Sequence, residues 1–206
     1  MSAKNTVCLV SDDADLRKSL TASFRSAGLI LISLASSMDY LAGLAEQKAH
    51  GCVVIDATGL DLIKELAKRR IAIPVVVMVP SGSVAAAVQA VKAGAFDVAE
   101  RSGDAPAEVV KRAFAGFAKM QKLLDEKQAA SERVASLTRR EVQVLSLMVQ
   151  GRPNRKIAEE LGISPKTLDI HRANLMDKMG ARTTADLCRA HLLDRIDAVH
   201  LPHVAG

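Results

Sequence analysis

The first hundred residues alternate between short apolar runs and longer amphipathic segments. The apolar runs have the length of β-strands, and the predicted strands are Thr6–Ser11, Leu29–Leu34, Cys52–Asp56, Ile73–Val79 and Asp97–Glu100. The segments between them repeat apolar residues every three or four positions, which predicts helices with one buried face. These helices are Asp13–Ala27, Met38–Ala49, Leu60–Arg70 and Ser83–Ala93. Strands that are apolar throughout are typical of parallel sheets covered on both faces. The pattern therefore predicts an α/β domain with a doubly wound, flavodoxin-like sheet of five parallel strands.

One long helix is predicted after this domain, from Pro106 to about Lys127. Its apolar residues form a short heptad-like seam. The seam consists of Val110, Ala113, Phe117, Met120 and Leu124. Two interpretations of the seam stay open, since it can belong to the core or mediate dimerisation. The polar segment Asp125–Ser136 is interpreted as a linker, which divides the chain into residues 1–124, 125–136 and 137–206.

The last third of the chain has a different pattern, that of four short helices. Thr138 and Glu141 have the spacing of a capping box at the start of the first, which is predicted to end at Val149. Asn154 is predicted to cap the second helix, Arg155–Leu161, and Ser164-Pro165 to start a third that ends at about Met179. Thr183 or Thr184 opens the fourth, which runs through Leu193. The second and third helices, joined by a three-residue turn, predict an all-α helix-turn-helix domain.

The third of these helices has two different faces. Leu168, His171, Leu175 and Met179 share the face that is predicted to pack against the other helices. The opposite face, near the N-terminus, carries Lys166, Asp169, Ile170 and Ala173. Recognition helices present base-reading residues from that end. Arg172, Asn174 and Lys178 flank the face and are predicted to reach phosphates.

Composition narrows the class of partner. Aromatic residues make up only 2% of the chain, which argues against the stacking surfaces that bind single-stranded nucleic acid. The net charge is +5, and residues 131–206 hold 12 Lys and Arg against 9 Asp and Glu, a balance that suits double-stranded DNA. No apolar run is long enough to span a membrane. Cys8, Cys52 and Cys188 lack metal-ligand spacing and are predicted to be buried, reduced thiols of a cytoplasmic protein.

Residues 137–187 resemble the LuxR-type helix-turn-helix of the NarL/FixJ response regulators. The resemblance rests on Leu137-Thr138-Arg139-Arg140-Glu141, Asn154, Ile157-Ala158, Leu161, Ser164, Lys166-Thr167, His171-Arg172, Asn174 and Lys178. It implies that Asp169, Ile170 and Ala173 meet base edges in the major groove, and that Lys166, Thr167, Arg172, Asn174 and Lys178 belong to the same DNA-binding surface. It also implies a homodimer formed through the fourth helix on a two-fold-symmetric DNA site. This protein is therefore expected to be a DNA-binding transcription regulator.

With that C-terminal domain, residues 1–127 resemble a receiver domain. In the family, a sensor histidine kinase passes a phosphoryl group to an aspartate at the end of the third strand, and clustered carboxylates hold magnesium. By this resemblance Asp56 is the candidate phosphoacceptor. Asp13, Asp56 and the carbonyl group of Thr58 would bind magnesium, with Asp12 acting through water. Magnesium is thus expected to bind weakly, and no other cofactor is expected.

Three positions depart from the receiver pattern. The switch Thr or Ser falls on Val79, the switch aromatic on Val98 and the lysine after the fifth strand on Arg101. Val79 cannot donate a hydrogen bond to a phosphoryl group, Val98 has no ring to move, and arginine is a planar fork rather than a compact ammonium. These departures predict a degenerate, atypical receiver that works independently of phosphorylation. The alternative is a conventional regulator in which Asp56 is phosphorylated and Arg101 replaces the lysine.

Two further classes of function compete with a DNA-binding regulator. A hydrolase could use Asp12 and Asp56 at the sheet edge, but the chain lacks an insertion to cover a substrate and carries a helix-turn-helix, so it is not expected to be an enzyme. An adaptor could instead sequester a kinase or another signalling protein. Loss of DNA binding on changing Lys166 and Arg172 to alanine would separate the regulator from both.

Overall fold

The computed structural model describes residues 6–44, 51–102 and 105–196. Within these ranges the strands are Thr6–Val10 (β1), Ile30–Leu34 (β2), Cys52–Asp56 (β3), Val75–Val79 (β4) and Asp97–Glu100 (β5). The helices are Ala14–Ser26 (α1), Ser37–Gly43 (α2), Asp61–Lys68 (α3), Val84–Ala93 (α4), Ala105–Ala135 (α5), Arg139–Val149 (α6), Asn154–Leu161 (α7), Pro165–Met179 (α8) and Thr184–Arg195 (α9). The chain divides into two compact units, one ending at Met120 and the other beginning at Gln121.

The first unit is built on the predicted sheet of five parallel strands. The strand order is β2-β1-β3-β4-β5, and every neighbouring pair is parallel. All residues of β3 and β4 are buried, which is why these strands are apolar without alternation. The sequence pattern predicts that β4 begins at Ile73, but the strand begins at Val75. Pro74 has no N–H group to donate to the sheet, which explains the later start. The predicted fold class is confirmed.

Helices cover both faces of this sheet. Alternate residues of β1 point to opposite sides, so Leu9 packs with α1 and α5 while Cys8 packs with the layer formed by α2, α3 and α4. Tyr40 and Leu62 bring α2 and α3 onto the second face. The predicted end of α2 at Ala49 lies outside the described residues. Sequence-predicted burial holds for Cys8 and Cys52, whereas Cys188 is only half-buried.

Helix α5 is longer than the sequence analysis predicts. It continues to Ala135, so the segment Asp125–Ser136 that was interpreted as a linker is helical almost to its end. Val110, Ala113 and Met120 are buried, which places these members of the seam in the core rather than in a dimer interface. Phe117 meets Phe96 edge to face, with ring centroids 6.0 Å apart.

The second unit is the predicted all-α domain. Leu145, Ile157, Leu168 and Leu187, one from each of α6 to α9, share its core. Thr138 and Glu141 form the predicted capping box at the start of α6. Ser164 caps α8, and Thr183 caps α9 in a second capping box. No helix in the described ranges combines the length and apolar character needed to cross a membrane.

One predicted cap is wrong. Asn154 is the first residue of α7, and Pro153 occupies the N-cap position without a side-chain hydrogen bond. The carbonyl group of Pro153 accepts the first helical hydrogen bond, from the N–H of Ile157 at 3.0 Å. A proline can stand there because the position needs a carbonyl acceptor and an extended ψ, but no N–H donor.

Candidate functional site

Asp56 lies buried at the carboxyl end of β3, with both carboxylate oxygens occupied by hydrogen bonds. Its side chain is the acceptor for the hydroxyl group of Ser11, the first residue after β1, through Oδ2. The backbone N–H and the hydroxyl group of Thr58 donate to Oδ1, the former at 2.9 Å. Asp56 is only 2% exposed. The pocket therefore holds a carboxylate that is fixed by short-range donors from two loops.

The hydrogen bonds decide the charge of Asp56. Burial alone would raise its pKa, but the donors from Ser11 and Thr58, together with the positive charge of Arg101, outweigh burial and hold the pKa of Asp56 below its usual value. Asp56 is thus ionised at neutral pH. An ionised carboxylate is the nucleophilic form, which is the chemical requirement for a phosphoacceptor.

Asp12 and Asp13 do not join Asp56 in a common cluster. Asp13 caps α1, since its Oδ1 accepts from the N–H of Leu16 at 3.0 Å, and its Oδ2 lies 3.3 Å from Nη1 of Arg101. Asp12 is exposed. In the part of the chain that the structure describes, no three His, Cys, Asp or Glu residues are placed to hold a metal ion. Because Asp13 already serves as a cap and an ion-pair partner, these carboxylates fit a magnesium ion poorly, and the weak site stays a prediction.

The three positions that depart from the receiver pattern lie at the end of β4, within β5 and just after β5. Val79 ends β4 and is 3% exposed, so an apolar side chain stands where a hydroxyl donor was expected in the family. Val98 is half-buried in β5 and packs against the core. Arg101 contacts Asp13, and its buried Nε has no hydrogen-bond partner among the described residues. The loop after β4 is tied to β5 and to the segment after it, because Ser81 bonds Ser102 at 2.8 Å and Glu100 accepts from the N–H of Gly82 at 2.9 Å.

Ser11 and the side chain of Thr58 are the pocket residues that sequence reasoning missed. The available signal was position, because the first residue after a buried parallel strand faces the same sheet edge as the residue that ends its neighbour. The sequence prediction names Asp12 and Asp13 at this edge of the sheet and not Ser11. The structure instead places the serine, not an aspartate, against Asp56.

The helix-turn-helix is the second candidate site. Helix α7 ends at Gly162, whose φ of 64° lies in the left-handed region, and the N–H of Ile163 closes the turn by donating to Ala158 at 3.0 Å. Arg140 of α6 holds this turn from outside, because its Nη2 donates to the carbonyl group of Leu161 at 3.1 Å. These bonds fix the angle at which α8 leaves the turn.

Helix α8 presents the two predicted faces. Leu168, Leu175 and Met179 are buried, and His171 is half-buried beside them. The exposed residues include five of the predicted DNA contacts: Lys166, Asp169, Ile170, Ala173 and Asn174. The structure thus brings these five side chains to one accessible side of the unit.

Of the other predicted contacts, Thr167 and Lys178 form bonds within the protein, and Arg172 is half-buried. Thr167 belongs to the cap of α8, since its N–H donates to Oγ of Ser164 at 3.1 Å and the two hydroxyl groups lie 2.7 Å apart. Arg172 is half-buried, and its Nε finds no hydrogen-bond partner in the described ranges. The ammonium group of Lys178 lies 2.7 Å from Oε2 of buried Glu141. Lys178 therefore has an internal role whether or not it also reaches a phosphate.

Glu141 links the start of α6 to the last turn of α8. The hydrogen bond from Lys178 and the backbone N–H of Thr138 lower the pKa of Glu141 to about 2, although burial opposes the shift. The carboxylate is 3% exposed, so it relies on these donors for the solvation that water cannot provide. The pair fixes α8 against α6, which sets the position of the exposed face.

The comparisons with known proteins agree with both halves of this architecture. Residues 7–111 match the response regulator receiver domain, and residues 135–190 match the bacterial regulatory proteins of the luxR family. The chain is similar to the transcriptional regulatory protein FixJ of Azorhizobium caulinodans, with 37% identity over 91% of this chain and 92% of that protein. It is also 35% identical to FixJ of Rhizobium meliloti, over 91% of this chain and 95% of that protein.

Solved structures give the same result. The response regulator StyR superposes with a TM-score of 0.70 at 30% identity, over 91% of this chain and 98% of that chain. Full-length FixJ from B. japonicum superposes with a TM-score of 0.57 at 31% identity, over 93% of this chain and 98% of that chain. The resemblance to a known family therefore extends through the sheet and the helix-turn-helix together.

Proposed function

The chain belongs to the FixJ-like response regulators, which join a receiver domain to a LuxR-type DNA-binding domain, and from this premise we propose that its binding to double-stranded DNA is controlled independently of phosphorylation at Asp56. The chain is a DNA-binding transcription regulator by family. We also propose that the protein binds DNA as a homodimer and that it is located in the cytoplasm. No enzymatic activity forms part of the proposal.

Val79 is the observation that carries phosphorylation-independent control. A phosphoryl group shifts a two-state equilibrium only if the two states contact it differently. The end of β4 lies beside the end of β3 in the sheet, and Val79 offers no donor there. Val98 adds no ring that could move in response. The domain therefore lacks the hydroxyl group and the aromatic ring that would couple phosphorylation of Asp56 to a conformational change.

The hydrogen bonds at Asp56 support the same conclusion. Phosphorylation turns one carboxylate oxygen into the bridging oxygen of an acyl phosphate, so the donor from Ser11 or Thr58 that now bonds this oxygen would have to move to a phosphoryl oxygen. Asp13 is held by Arg101 and by the start of α1, which leaves it poorly placed to bring a cation to the new phosphoryl group. Each of these contacts favours the unmodified state.

The exposed side of α8 supports DNA as the partner. Lys166 lies at the N-terminal end of the helix, where backbone N–H groups also favour a phosphate. Arg172 is half-buried on the same helix, and the planar fork of its guanidinium group suits hydrogen bonding to a phosphate. Contacts of this kind fix register on the duplex, whereas the residues between them meet the bases.

Helix α9 supports the homodimer. Leu192 is 64% exposed, and half-buried Cys188 stands four residues before it on the same helix. Residues spaced by four lie on one side of a helix. A two-fold pairing of this apolar side in a second copy would cover it and place two α8 helices on two DNA half-sites.

A conventional phosphorylated regulator is the second candidate function. It is favoured by the presence of an ionised Asp56 at the end of β3 and by a cation, Arg101, whose charge acts on Asp56. In that case the partner upstream is a sensor histidine kinase. Arg101 would then have to leave Asp13 to contact the phosphoryl group.

The two candidate functions predict different protein masses and different DNA affinities after treatment with a phosphodonor. Wild-type protein and Asp56→Asn would be incubated with magnesium and a small phosphodonor, weighed by intact-protein mass spectrometry and titrated onto DNA. We expect no adduct that depends on Asp56 and the same DNA affinity with and without the donor. An Asp56-dependent adduct that tightens DNA binding would replace this proposal with the conventional one.

DNA binding itself is tested with Lys166→Ala and Arg172→Ala. We expect both to weaken binding on all sequences and each to reduce the slope of log affinity against log salt by about 1. Lys68→Ala, which removes an exposed positive charge from α3, serves as the control. An affinity that does not fall with salt would count against DNA and favour the protein-binding adaptor.

A further inference from the structure

We infer that Ile170 and Asp169 read a thymine methyl group and a cytosine amino group in the major groove, so that each half of the preferred DNA site carries a thymine and a cytosine within reach of α8. The inference rests on the proposed DNA-binding function and specifies the chemistry of the site that this chain selects. It follows from two side chains that the fold leaves without a role.

Ile170 is the first of them. Among the described residues of α8, the other large aliphatic side chains are buried or half-buried, whereas Ile170 is 55% exposed. It contributes little to the core, and covering an exposed apolar side chain with a partner is favourable because it removes apolar surface from water. In the major groove, the one apolar group on a base edge is the C5-methyl group of thymine. The chemistry of Ile170 therefore points to a thymine.

Asp169 is the second. Its carboxylate forms no ion pair or hydrogen bond with any residue in the described ranges, although Lys166 stands one helical turn before it. A carboxylate close to DNA is repelled by the phosphates, so it weakens binding to any sequence that does not offer it a donor. Cytosine offers one in its N4 amino group. The N6 amino group of adenine is also a donor, but the acceptor N7 beside it repels a carboxylate. Asp169 thus favours cytosine by penalising other bases.

The surroundings let both side chains approach a base edge. Ala173 lies one turn after Asp169 and Ile170 and is exposed, and its small side chain leaves room for the backbone of α8 to lie deep in the groove. Lys166 lies on the same side one turn earlier and can bind the flanking phosphate. The positive charge of Lys166 thus lies at the edge of the exposed face, and Asp169 and Ile170 occupy its centre.

The test begins with a selection of preferred sites from randomised duplex DNA by the full chain. Each thymine of the selected site is then replaced by deoxyuridine, which removes only the methyl group, and binding is measured for the wild type and Ile170→Ala. Asp169→Ala is measured on sites in which each cytosine is changed. Val142→Ala and Asp177→Ala are the matched controls, since both side chains are exposed in the same unit and lie outside the proposed contacts.

One thymine in each half-site is expected to show about a 5-fold or greater loss on deoxyuridine substitution in the wild type and in the controls, and no loss in Ile170→Ala. One cytosine is expected to lose its preference in Asp169→Ala only. The thermal midpoint of each variant should match the wild type, because both side chains are exposed.

Two results would overturn the inference while leaving the proposed function intact. In one, the selected site shows a deoxyuridine effect that persists in Ile170→Ala, or no such effect. In the other, Asp169→Ala keeps every base preference of the wild type. If the wild-type chain instead selects no sequence and binds DNA no better than the Lys166→Ala Arg172→Ala double variant, the proposed function fails and the inference fails with it.

Discussion

Among the groups that lower the pKa of Asp56, the hydroxyl group of Ser11 has the largest effect. Replacing Ser11 with alanine removes a donor to a buried, ionised carboxylate. We expect Ser11→Ala to raise the pKa of Asp56 and to lower the free energy of unfolding by about 1–2 kcal/mol. Titration of the Asp56 carboxyl carbon by NMR and denaturant unfolding at neutral pH measure the two effects.

The pH dependence of this effect has a defined sign. The pKa of Asp56 is lower in the folded state than its usual value, so the ionised form stabilises the fold above that value and the stabilisation disappears as the pH falls through the folded pKa. The difference between wild type and Ser11→Ala should therefore be largest at neutral pH and shrink in acid. Ser19→Ala, which removes an exposed hydroxyl from α1, is the control. An unchanged pKa of Asp56 in Ser11→Ala would contradict the assignment.

The pair Glu141–Lys178 provides a second prediction for single residues. Glu141→Gln keeps the shape of the side chain but loses the charge that faces Lys178 at 2.7 Å. We expect the free energy of unfolding to fall by about 2 kcal/mol, since a buried group then loses part of its hydrogen bonding. Because the pKa of Glu141 falls from 4.5 to about 2 on folding, the loss should be complete above pH 4.5 and diminish as the pH falls toward 2.

Lys178→Met separates the internal role of Lys178 from a DNA contact. It leaves the carboxylate of Glu141 buried without its cation, so we expect it to destabilise the protein at least as much as Glu141→Gln. If Lys178 served DNA alone, Lys178→Met would instead weaken DNA binding and leave the unfolding midpoint unchanged. Chemical denaturation and DNA titration on the same samples distinguish the two results.

The last turns of α5 form an element that belongs to the DNA-binding unit. Val134 packs against the core of that unit, Ala130 is 2% exposed, and Nη1 of Arg133 donates to the carbonyl group of Met179 at 3.4 Å. We expect a fragment that begins at Gln121 to be more stable than one that begins at Ser136, by about 2 kcal/mol from the buried apolar area. Thermal unfolding of the two fragments measures the difference.

Two variants of the longer fragment show which contacts carry this stability. Ala130→Glu places a charge in a buried position and should reduce the stability to that of the shorter fragment. Glu126→Ala breaks the ion pair with Arg189, but the Arg189 side chain is 71% exposed and Glu126 is partly exposed, and such a surface pair contributes less than about 1 kcal/mol. Equal stability of the two fragments would mean that α5 does not support the unit.

At the level of elements, sequence patterns predicted what local chemistry determines. β3 and β5 have the predicted bounds, and the caps at Thr138 and Ser164 were predictable because each needs only residues at the start of its own helix. The end of α5 was missed for a different reason. Its polar segment has no apolar pattern of its own, and it is helical where Ala130 and Val134 pack in a unit formed by residues far along the chain.

For the pocket at Asp56, the sequence again predicted local features and missed the contacts between distant residues. Placing Asp56 at the end of β3 requires only the sheet pattern, and the structure agrees. The cap that Asp13 forms on α1 is local, but its ion pair with Arg101 could not be deduced, because that pair depends on how the ends of β1 and β5 meet. The same limit hid Ser11, whose hydroxyl matters only because Asp56 lies beside it.

On the scale of the whole molecule, the two units differ in how fully they retain the features of their family. The DNA-binding unit has its caps, turn and exposed α8 residues in place. The receiver unit retains the sheet and Asp56 but has valine at two switch positions. The proposed phosphorylation-independent control would have to act on assembly or on a partner, and the exposed apolar side of α9 is a surface on which assembly can be tested.

Leu192→Glu tests whether α9 brings two copies together on DNA. Leu192 is 64% exposed, so a charge there should leave the unfolding midpoint unchanged, yet two glutamates would face each other across a two-fold interface. We expect the variant to bind one half-site per protein without the gain from a second half-site, measured by titration on duplexes with one and two half-sites and by sedimentation of the complexes. Met38→Glu, at a residue of α2 that is 78% exposed, controls for the added charge. Binding of two copies with wild-type affinity by Leu192→Glu would place the dimer contact on another surface, and the search would then move to the exposed valines of α4, Val84 and Val91.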